Sequence, residues 1–264
     1  MILDEIAAYT RGRVTAAKQA VSLDAIRARA EAMPRDGTFP FEAALGGPGL
    51  SFICEVKKAS PSKGIISADF PYLDIAQDYE RGGAAALSVL TEPKYFLGRD
   101  EYLREIAEAV PLPVLRKDFV VDAYQIYGAK LLGASAVLLI AALLDKATLE
   151  RYIELAHSLG LSALAEAHTE AELLAVLAAG ARLVGVNNRD LRTFAVNFST
   201  GARLRALVPP EVLFVAESGV TSPADVRALR AIGADAALVG EALMRAPDRV
   251  RFLGELREAG HAQN

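Results

Sequence analysis

The sequence predicts an α/β chain in which eight strand–helix units close into a barrel behind a helical extension. Three observations carry that prediction. Gly-Ala recurs at Gly83-Ala84, Gly133-Ala134, Gly180-Ala181 and Gly233-Ala234, at spacings of 50, 47 and 53 residues, each time after helical periodicity and before a short apolar run. A glycine so placed ends a helix in the left-handed conformation and feeds a buried strand. Four more apolar runs alternate with these, Ser51 to Lys57, Pro113 to Phe119, Leu161 to Glu166 and Val212 to Ser218, which brings the strands to eight. The length, 264 residues, suits one barrel of about 250.

Taken in order, residues 1–45 precede the first strand and hold an amphipathic, charged helical stretch from Leu3 to Ala32 that Pro34 ends. They read as an extension to a barrel domain over 46–264. Helical patterns follow near Tyr72–Arg81, Glu101–Val110, Ala123–Leu132, Lys146–Leu159, Glu170–Ala179, Thr200–Leu207 and Pro223–Ile232, with a short one after Gly240. Continuously apolar strands separated by helices pair in parallel with both sheet faces covered. A unit of about 25 residues repeated eight times is the period of a (β/α)8 TIM barrel, and the count separates it from a five- or six-stranded open sheet.

Composition removes several classes of function. Lys plus Arg is 29 and Asp plus Glu 33, a net charge of −4 that offers nothing to a polyanion, so nucleic acid is not an expected partner. The longest stretch without charge, Leu131 to Leu144, is 14 residues and too short to span a bilayer, and Asp4 and Glu5 stand where a secretory signal would be basic. Cys54 is the single cysteine; it excludes an intrachain disulfide, fits a reducing cytoplasm, and has the outward parity of its strand. No metal site is expected, because His157, His168 and His261 pair with no Cys or acid at ligand spacing. All three read as surface or helix residues, with His168 the more interesting for its nearness to Glu166.

Chemistry in such a barrel sits at the C-terminal ends of the strands, and ionisable residues gather there. Strand 1 ends in Glu55-Val56-Lys57, strand 3 in Lys117-Asp118, strand 5 in Glu166, strand 6 in Asn187-Asn188-Arg189 and strand 7 in Glu217-Ser218-Gly219. Side chains alternate along a strand, so Glu55 and Lys57 share a face with Ile53, Lys117 with Leu115, Glu166 with Leu164, Asn187 with Gly185 and Glu217 with Val215. If that face is the lumen, two lysines, three carboxylates and an amide converge, and buried charges of this kind need mutual pairing or a ligand. Ion pairing between barrel layers is the simpler reading of any one of them. Only 8 of the 29 basic residues are lysine, yet Lys57, Lys58, Lys63, Lys94 and Lys117 all fall between strands 1 and 3. Lysine can give up a proton near neutral pH where arginine cannot.

The ends of strands 7 and 8 point to a phosphate. Ser218-Gly219 leads into Thr221-Ser222-Pro223-Ala224-Asp225, a helix start with N-cap, proline and acid, and Gly240-Glu241 closes strand 8 likewise. Barrels commonly hold phosphate between these two loops, on glycine backbone N–H groups and a helix N-terminus. Each glycine alone could equally be a turn residue.

The motifs Glu55-Val-Lys-Lys-Ala-Ser-Pro-Ser-Lys-Gly64, Leu87-Ser-Val-Leu-Thr-Glu-Pro-Lys-Tyr-Phe96, Leu115-Arg-Lys-Asp-Phe119, Asn187-Asn-Arg-Asp-Leu191 and Ala216-Glu-Ser-Gly219 resemble those of the indole-3-glycerol-phosphate synthases of tryptophan biosynthesis. The resemblance runs from strand 1 to strand 8 and includes the N-terminal extension. It implies a carbon–carbon lyase, a carboxy-lyase without cofactor, acting on 1-(2-carboxyphenylamino)-1-deoxyribulose 5-phosphate, a small phosphorylated anthranilate derivative. The ring closes to indole-3-glycerol phosphate with loss of carbon dioxide and water. Contacts with other enzymes of that pathway are left open.

By position, the resemblance makes Lys117 the general acid at the carbonyl and Glu166 its partner on the resulting hydroxyl or in proton removal. Glu55 would orient or relay protons to the lysines, Lys57 would face anionic groups, Asn187 would hold carboxylate or hydroxyl, and Glu217 and Ser218 join this catalytic set. Ser218, Gly219, Gly240 and the backbone of Glu241 would line the phosphate and ribulose end, with Ser60 and Arg189 also binding substrate. Phe96, Phe119, Leu138 and Leu191 match the apolar wall around the anthranilate ring; core packing competes with that role for Phe119. The loop from Lys58 to Ser67, with Pro61 and Gly64, is a candidate lid. A Glu241 carboxylate aimed at phosphate would repel it, so that side chain is expected to turn outward.

Two other readings compete. Phosphoribosylanthranilate isomerase shares the phosphate logic but uses a Cys and an Asp at strand ends, whereas Cys54 is out of phase with the lumen and Lys117 and Glu166 take the corresponding places. A non-catalytic, metabolite-binding barrel would leave the lumenal charges without a task.

Overall fold

Apolar runs of four to six residues, each bounded by a helix terminus, give the computed structural model its eight barrel strands; residues 2–35, 37–189 and 198–261 are described. The strands are β1 (Ser51–Val56), β2 (Ala86–Leu90), β3 (Val114–Lys117), β4 (Ala136–Ile140), β5 (Ser162–Ala167), β6 (Leu183–Asn187), β7 (Leu213–Glu217) and β8 (Ala236–Val239). All pair in parallel with their neighbours in sequence, and β1 closes the ring by pairing with both β2, at Ile53 with Ala86, and β8, at Ile53 with Leu238. The helices are α1 (Ile2–Ala20), α2 (Leu23–Glu31), α3 (Pro40–Leu45), α4 (Tyr72–Arg81), α5 (Asp100–Ala109), α6 (Ala123–Leu131), α7 (Lys146–Ser158), α8 (Glu170–Ala178), α9 (Phe198–Arg205), α10 (Pro223–Ala231), α11 (Glu241–Arg245) and α12 (Arg249–His261).

Alternation along the strands builds two cores. Ile53, Leu115, Leu164 and Val215 fill the lumen, while Cys54, Leu87, Val137 and Phe214 face outward onto helix residues such as Ile75, Ile106 and Leu229. The four Gly-Ala junctions enter their strands from left-handed glycines, Gly83, Gly133, Gly180 and Gly233, at φ of 82°, 83°, 82° and 76°. At the other helix ends Ser22, Asp122, Asp145, Thr169 and Ser222 each accept a backbone N–H as N-cap.

Two expectations are corrected. The stretch from Leu3 to Ala32 is two helices, because the Ser22 hydroxyl caps a new start at Leu23. The chain after Gly240 also forms two, the short α11 and then α12, which buries Leu253, Leu256 and Ala259. Five charged residues and two internal glycines among its 13 positions hide α12 in the sequence.

Two of the N-terminal helices, α3 and α1, meet the barrel at opposite ends, while α2 packs on α6. Phe41 and Leu45 of α3 enter the lumenal core from the N-terminal mouth, beside an Arg182–Glu42 ion pair at 3.0 Å. α1 crosses the C-terminal mouth: Arg13 donates to Asp118 at 2.7 and 2.8 Å, and Lys18 pairs with Asp122 at 2.6 Å. Among the described residues no helix is long and apolar enough to cross a membrane.

Candidate active site

A cavity of about 990 Å³ opens at the C-terminal ends of the strands. Its wall includes Glu55, Lys57 and Ser60 from β1 and the loop after it, Phe96 after β2, and Lys117 and Phe119 at the end of β3. Leu138, Glu166, Asn187, Arg189, Glu217, Ser218, Gly219, Gly240 and Glu241 complete the set of residues singled out above. Leu191 lies outside the described residues. Of the five clustered lysines, Lys57, Lys63 and Lys117 reach the cavity. Lys94 instead sits over the rings of Tyr9 and Tyr95, 5.1 and 5.0 Å from their centroids, where it fastens α1 to the loop after β2.

Lumenal parity puts the charges in one layer. Lys117 Nζ lies 3.5 Å from Glu166 Oε2 and 3.7 Å from Glu217 Oε2, and Lys57 pairs with Glu55. Asn187 Nδ2 donates to Glu166 Oε1 at 3.2 Å. Two glycines make room: a Cβ on Gly185 would collide with Glu217 Oε1, and one on Gly240 with Glu55 Oε2 while standing 2.9 Å from Lys57 Nζ. The need for Gly240 thus arises from the charged layer as well as from any ligand.

Environment drives the two central carboxyls apart. Burial raises both, but Lys117, His168 and the Asn187 amide pull Glu166 below its ordinary range, whereas burial and the neighbouring Glu166 push Glu217 up to about 8. Burial opposes the charge on Lys117, and the combined attraction of Glu166, Glu217 and Glu55 outweighs it and holds the ammonium above its usual range. The layer therefore offers a charged donor, an ionised acceptor and a protonated carboxyl side by side, the separation that acid–base chemistry requires. Burial raises the Cys54 thiol too, and it faces the helices, so it supplies no acid or base to the mouth.

The remaining wall divides by polarity. Phe96 and Phe119 form an apolar side, ring centroids 5.9 Å apart. Opposite, Ser218 and Gly219 turn through positive φ, 66° and 99°, before Ser222 caps α10, and Gly240 precedes α11. A serine in that conformation is strained, which exposes the backbone at the mouth. The segment from Lys58 to Ser67 folds as a short antiparallel pair, Ala59–Ser60 with Gly64–Ile65, and hangs over this end. Glu241 is among the lining residues; its carboxylate is held by Arg245 at 3.2 Å and Lys63 at 3.4 Å, which offset the negative charge there.

Three contributors escape the sequence reading. α1 adds Ile2, Leu3 and Ile6 to the wall. Glu92, fully buried, accepts the backbone N–H groups of Lys94, Tyr95 and Phe96 at 3.0, 2.6 and 3.0 Å and so shapes the loop that presents Phe96. His168, read as a surface or helix residue, is mostly buried, with Nε2 3.3 Å from Glu166 Oε1. Its strand parity, shared with Glu166, was the signal available.

Comparison with known proteins agrees over nearly the whole chain. Residues 3–256 match the family model described as indole-3-glycerol phosphate synthase. A protein of that name from Ruminiclostridium cellulolyticum is 54% identical over 257 residues, covering 97% of this chain and 99% of the relative, and one from Endomicrobium trichonymphae is 49% identical over 98% of this chain. Among solved structures, a 3-hexulose-6-phosphate synthase superposes with a TM-score of 0.61 at 18% identity over 80% of this chain, a likeness that speaks for the barrel alone. Shared architecture leaves the chemistry open; sequence identity near one half across both full lengths does not, and the chain belongs to the indole-3-glycerol phosphate synthase family.

Proposed function

We propose that the cavity takes 1-(2-carboxyphenylamino)-1-deoxyribulose 5-phosphate and closes its indole ring. The observation that carries this reading is the Lys117 ammonium held between Glu166 and Glu217 at the floor of a cavity with one apolar and one polar side. The aryl carbon bearing the carboxylate attacks the ketone carbon, and Lys117 protonates the ketone oxygen as it becomes a hydroxyl. Carbon dioxide leaves from the attacking ring carbon, and the electron pair of the broken carbon–carboxylate bond restores aromaticity. Water then departs: protonated Glu217 donates to the leaving hydroxyl, the adjacent ring carbon loses its proton to Glu166, and the electron pair of that C–H bond becomes the new double bond.

The other residues bind and orient. Lys57, steadied by Glu55, attracts the substrate carboxylate, and Asn187 holds carboxylate or hydroxyl. Ser60 and Arg189 contribute polar contacts, while the backbone of Ser218, Gly219, Gly240 and Glu241 holds the phosphate with Lys63 nearby. Phe96, Phe119 and Leu138 flank the anthranilate ring. Ring attack breaks aromaticity, so a near-attack pose between these walls contributes much of the acceleration. Residues 1–45 act with the barrel, 46–264, as one catalytic unit, because α1 supplies part of the wall. The lone buried Cys54 suits work in the cytoplasm.

Incubation with this substrate should generate indole fluorescence, and Lys117→Ala should lower kcat by about 10²- to 10⁴-fold. No product from the parent protein overturns the proposed reaction; a parental rate in Lys117→Ala removes that residue from the acid's role.

A further inference from the structure

The geometry points to His168 as a positioning residue for Glu166: an imidazolium clamped between Glu166 and Glu172 fixes one oxygen of the catalytic carboxylate and turns the other toward Lys117. This rests on the role given to Glu166 above. His168 follows the last residue of β5, on the same parity as Glu166, which lines the cavity. Its Nε2 is 3.3 Å from Glu166 Oε1 and its Nδ1 3.5 Å from Glu172 Oε2. Both ring nitrogens lie within ion-pair distance of a carboxylate, and only the doubly protonated ring carries N–H on both.

The local sequence fixes this pose. Thr169 caps α8 by accepting the N–H of Glu172, and Glu172 reaches back to the backbone N–H of His168 at 2.7 Å, so the helix start holds the second carboxylate against the imidazole. Asn187 Nδ2 binds the same Glu166 oxygen as His168, which leaves Oε2 to Lys117 at 3.5 Å. The charged groups facing the ring are Glu166 from β5, Glu172 from α8 and Glu217 from β7, with Lys117 of β3 beyond Glu166. Burial opposes the imidazolium, but Glu172 and Glu166 more than offset this and raise its pKa. With Glu217 protonated, the cluster balances as Lys117 with Glu166, Lys57 with Glu55 and His168 with Glu172. Loss of the His168 proton leaves the half-buried Glu172 carboxylate unanswered and removes a cation from beside Glu166, which becomes a stronger base in a less defined pose.

Two substitutions separate position from charge: His168→Gln keeps a donor, and His168→Leu keeps neither donor nor charge. With the substrate proposed above, kcat should fall about 10- to 100-fold in His168→Leu and less in His168→Gln, at nearly constant KM. In both, the acidic limb of the kcat/KM profile should move to higher pH, because Glu166 has lost a cationic neighbour; a packing defect alone would leave that limb in place. Glu172→Gln, which preserves the backbone contact, should produce the same movement in smaller measure. Parental kcat and an unmoved limb in all three would overturn the proposal. A readout free of turnover guards against failure of the reaction assignment: the protein has three histidines, and NMR titration of the His168 imidazole should show its pKa falling in Glu166→Gln. An unchanged titration overturns the clamp even where the proposed substrate is correct.

Discussion

Arg13→Ala tests how the N-terminal helix is joined to the barrel. The guanidinium makes two hydrogen bonds, 2.7 and 2.8 Å, to Asp118, whose side chain is fully buried while that of Arg13 is 24% exposed. Without it, Asp118 keeps the backbone N–H of Phe119 at 2.9 Å and longer contacts, 3.5 Å each, to Arg116 and Gln125. Stripping one partner from a buried pair costs about 3–5 kcal/mol when nothing else answers the remaining charge. Arg116 answers it in part, so the loss should be about 2–3 kcal/mol. Unfolding entropy of about 2.1 cal/mol/K per residue converts this, over 264 residues, to a fall of about 5 °C in Tm. Calorimetry of Arg13→Ala, Asp118→Asn and the double variant should return a coupling of about 1–2 kcal/mol. Since α1 carries Ile2, Leu3 and Ile6 on the cavity wall, KM should also rise, by about ten-fold, with kcat affected less. A Tm within about 1 °C of the parent, or strictly additive losses, would refute the reasoning.

Two further outcomes follow from the charged layer. In Gly240→Ala the new methyl group must displace the Glu55 carboxylate from Lys57, so kcat/KM should drop by about 10²-fold while a circular dichroism spectrum stays parental; unchanged kinetics would show that the Glu55 position is immaterial. For Glu217 the folded-state pKa is raised, from 4.5 to about 8, so across that window the native state holds a proton that the unfolded chain has shed. Stability therefore falls as pH rises from 4.5 toward 8, and Glu217→Gln should flatten the decline in Tm between those limits; parallel curves for parent and variant would count against a protonated Glu217.

What could be read from the sequence was whatever follows from periodicity. Glu55, Lys57, Lys117, Glu166 and Glu217 were legible because strand parity and the polarity of a parallel barrel fix both the face and the end on which a side chain appears. The Gly-Ala junctions were legible because a left-handed residue after a helix selects glycine. Features that depend on contacts distant in sequence were not. Arg13 meets Asp118 across 105 residues, and nothing in the helical pattern of α1 indicates which mouth it covers. Glu92 reads as one more acid in a loop until three backbone donors converge on it. His168 sits on the favourable parity, yet its significance depends on Glu172, whose own place is set by the cap of a different element.

The arrangement explains why the extension touches both ends of the barrel. Below the charged layer the lumen is mostly apolar, from Phe41 and Leu45 at one mouth through Ile53, Leu115, Leu164 and Val215, with Ser88 and Ser162 the buried hydroxyls on the same parity. A mostly apolar floor offers Lys117 and Glu166 little polar solvation from beneath, which strengthens their mutual attraction and raises the cost of leaving either unpaired. A floor of that kind requires that water be kept out of the N-terminal mouth, and α3 closes it. It also requires that any solvent entering from the other side be limited to the cavity, and α1 narrows that side through Arg13 and the Lys94 contact with Tyr9 and Tyr95. The same 45 residues thus govern the dielectric on both sides of one plane of charge. Loosening α1 should consequently weaken the pairing around Lys117 without touching any residue in that plane.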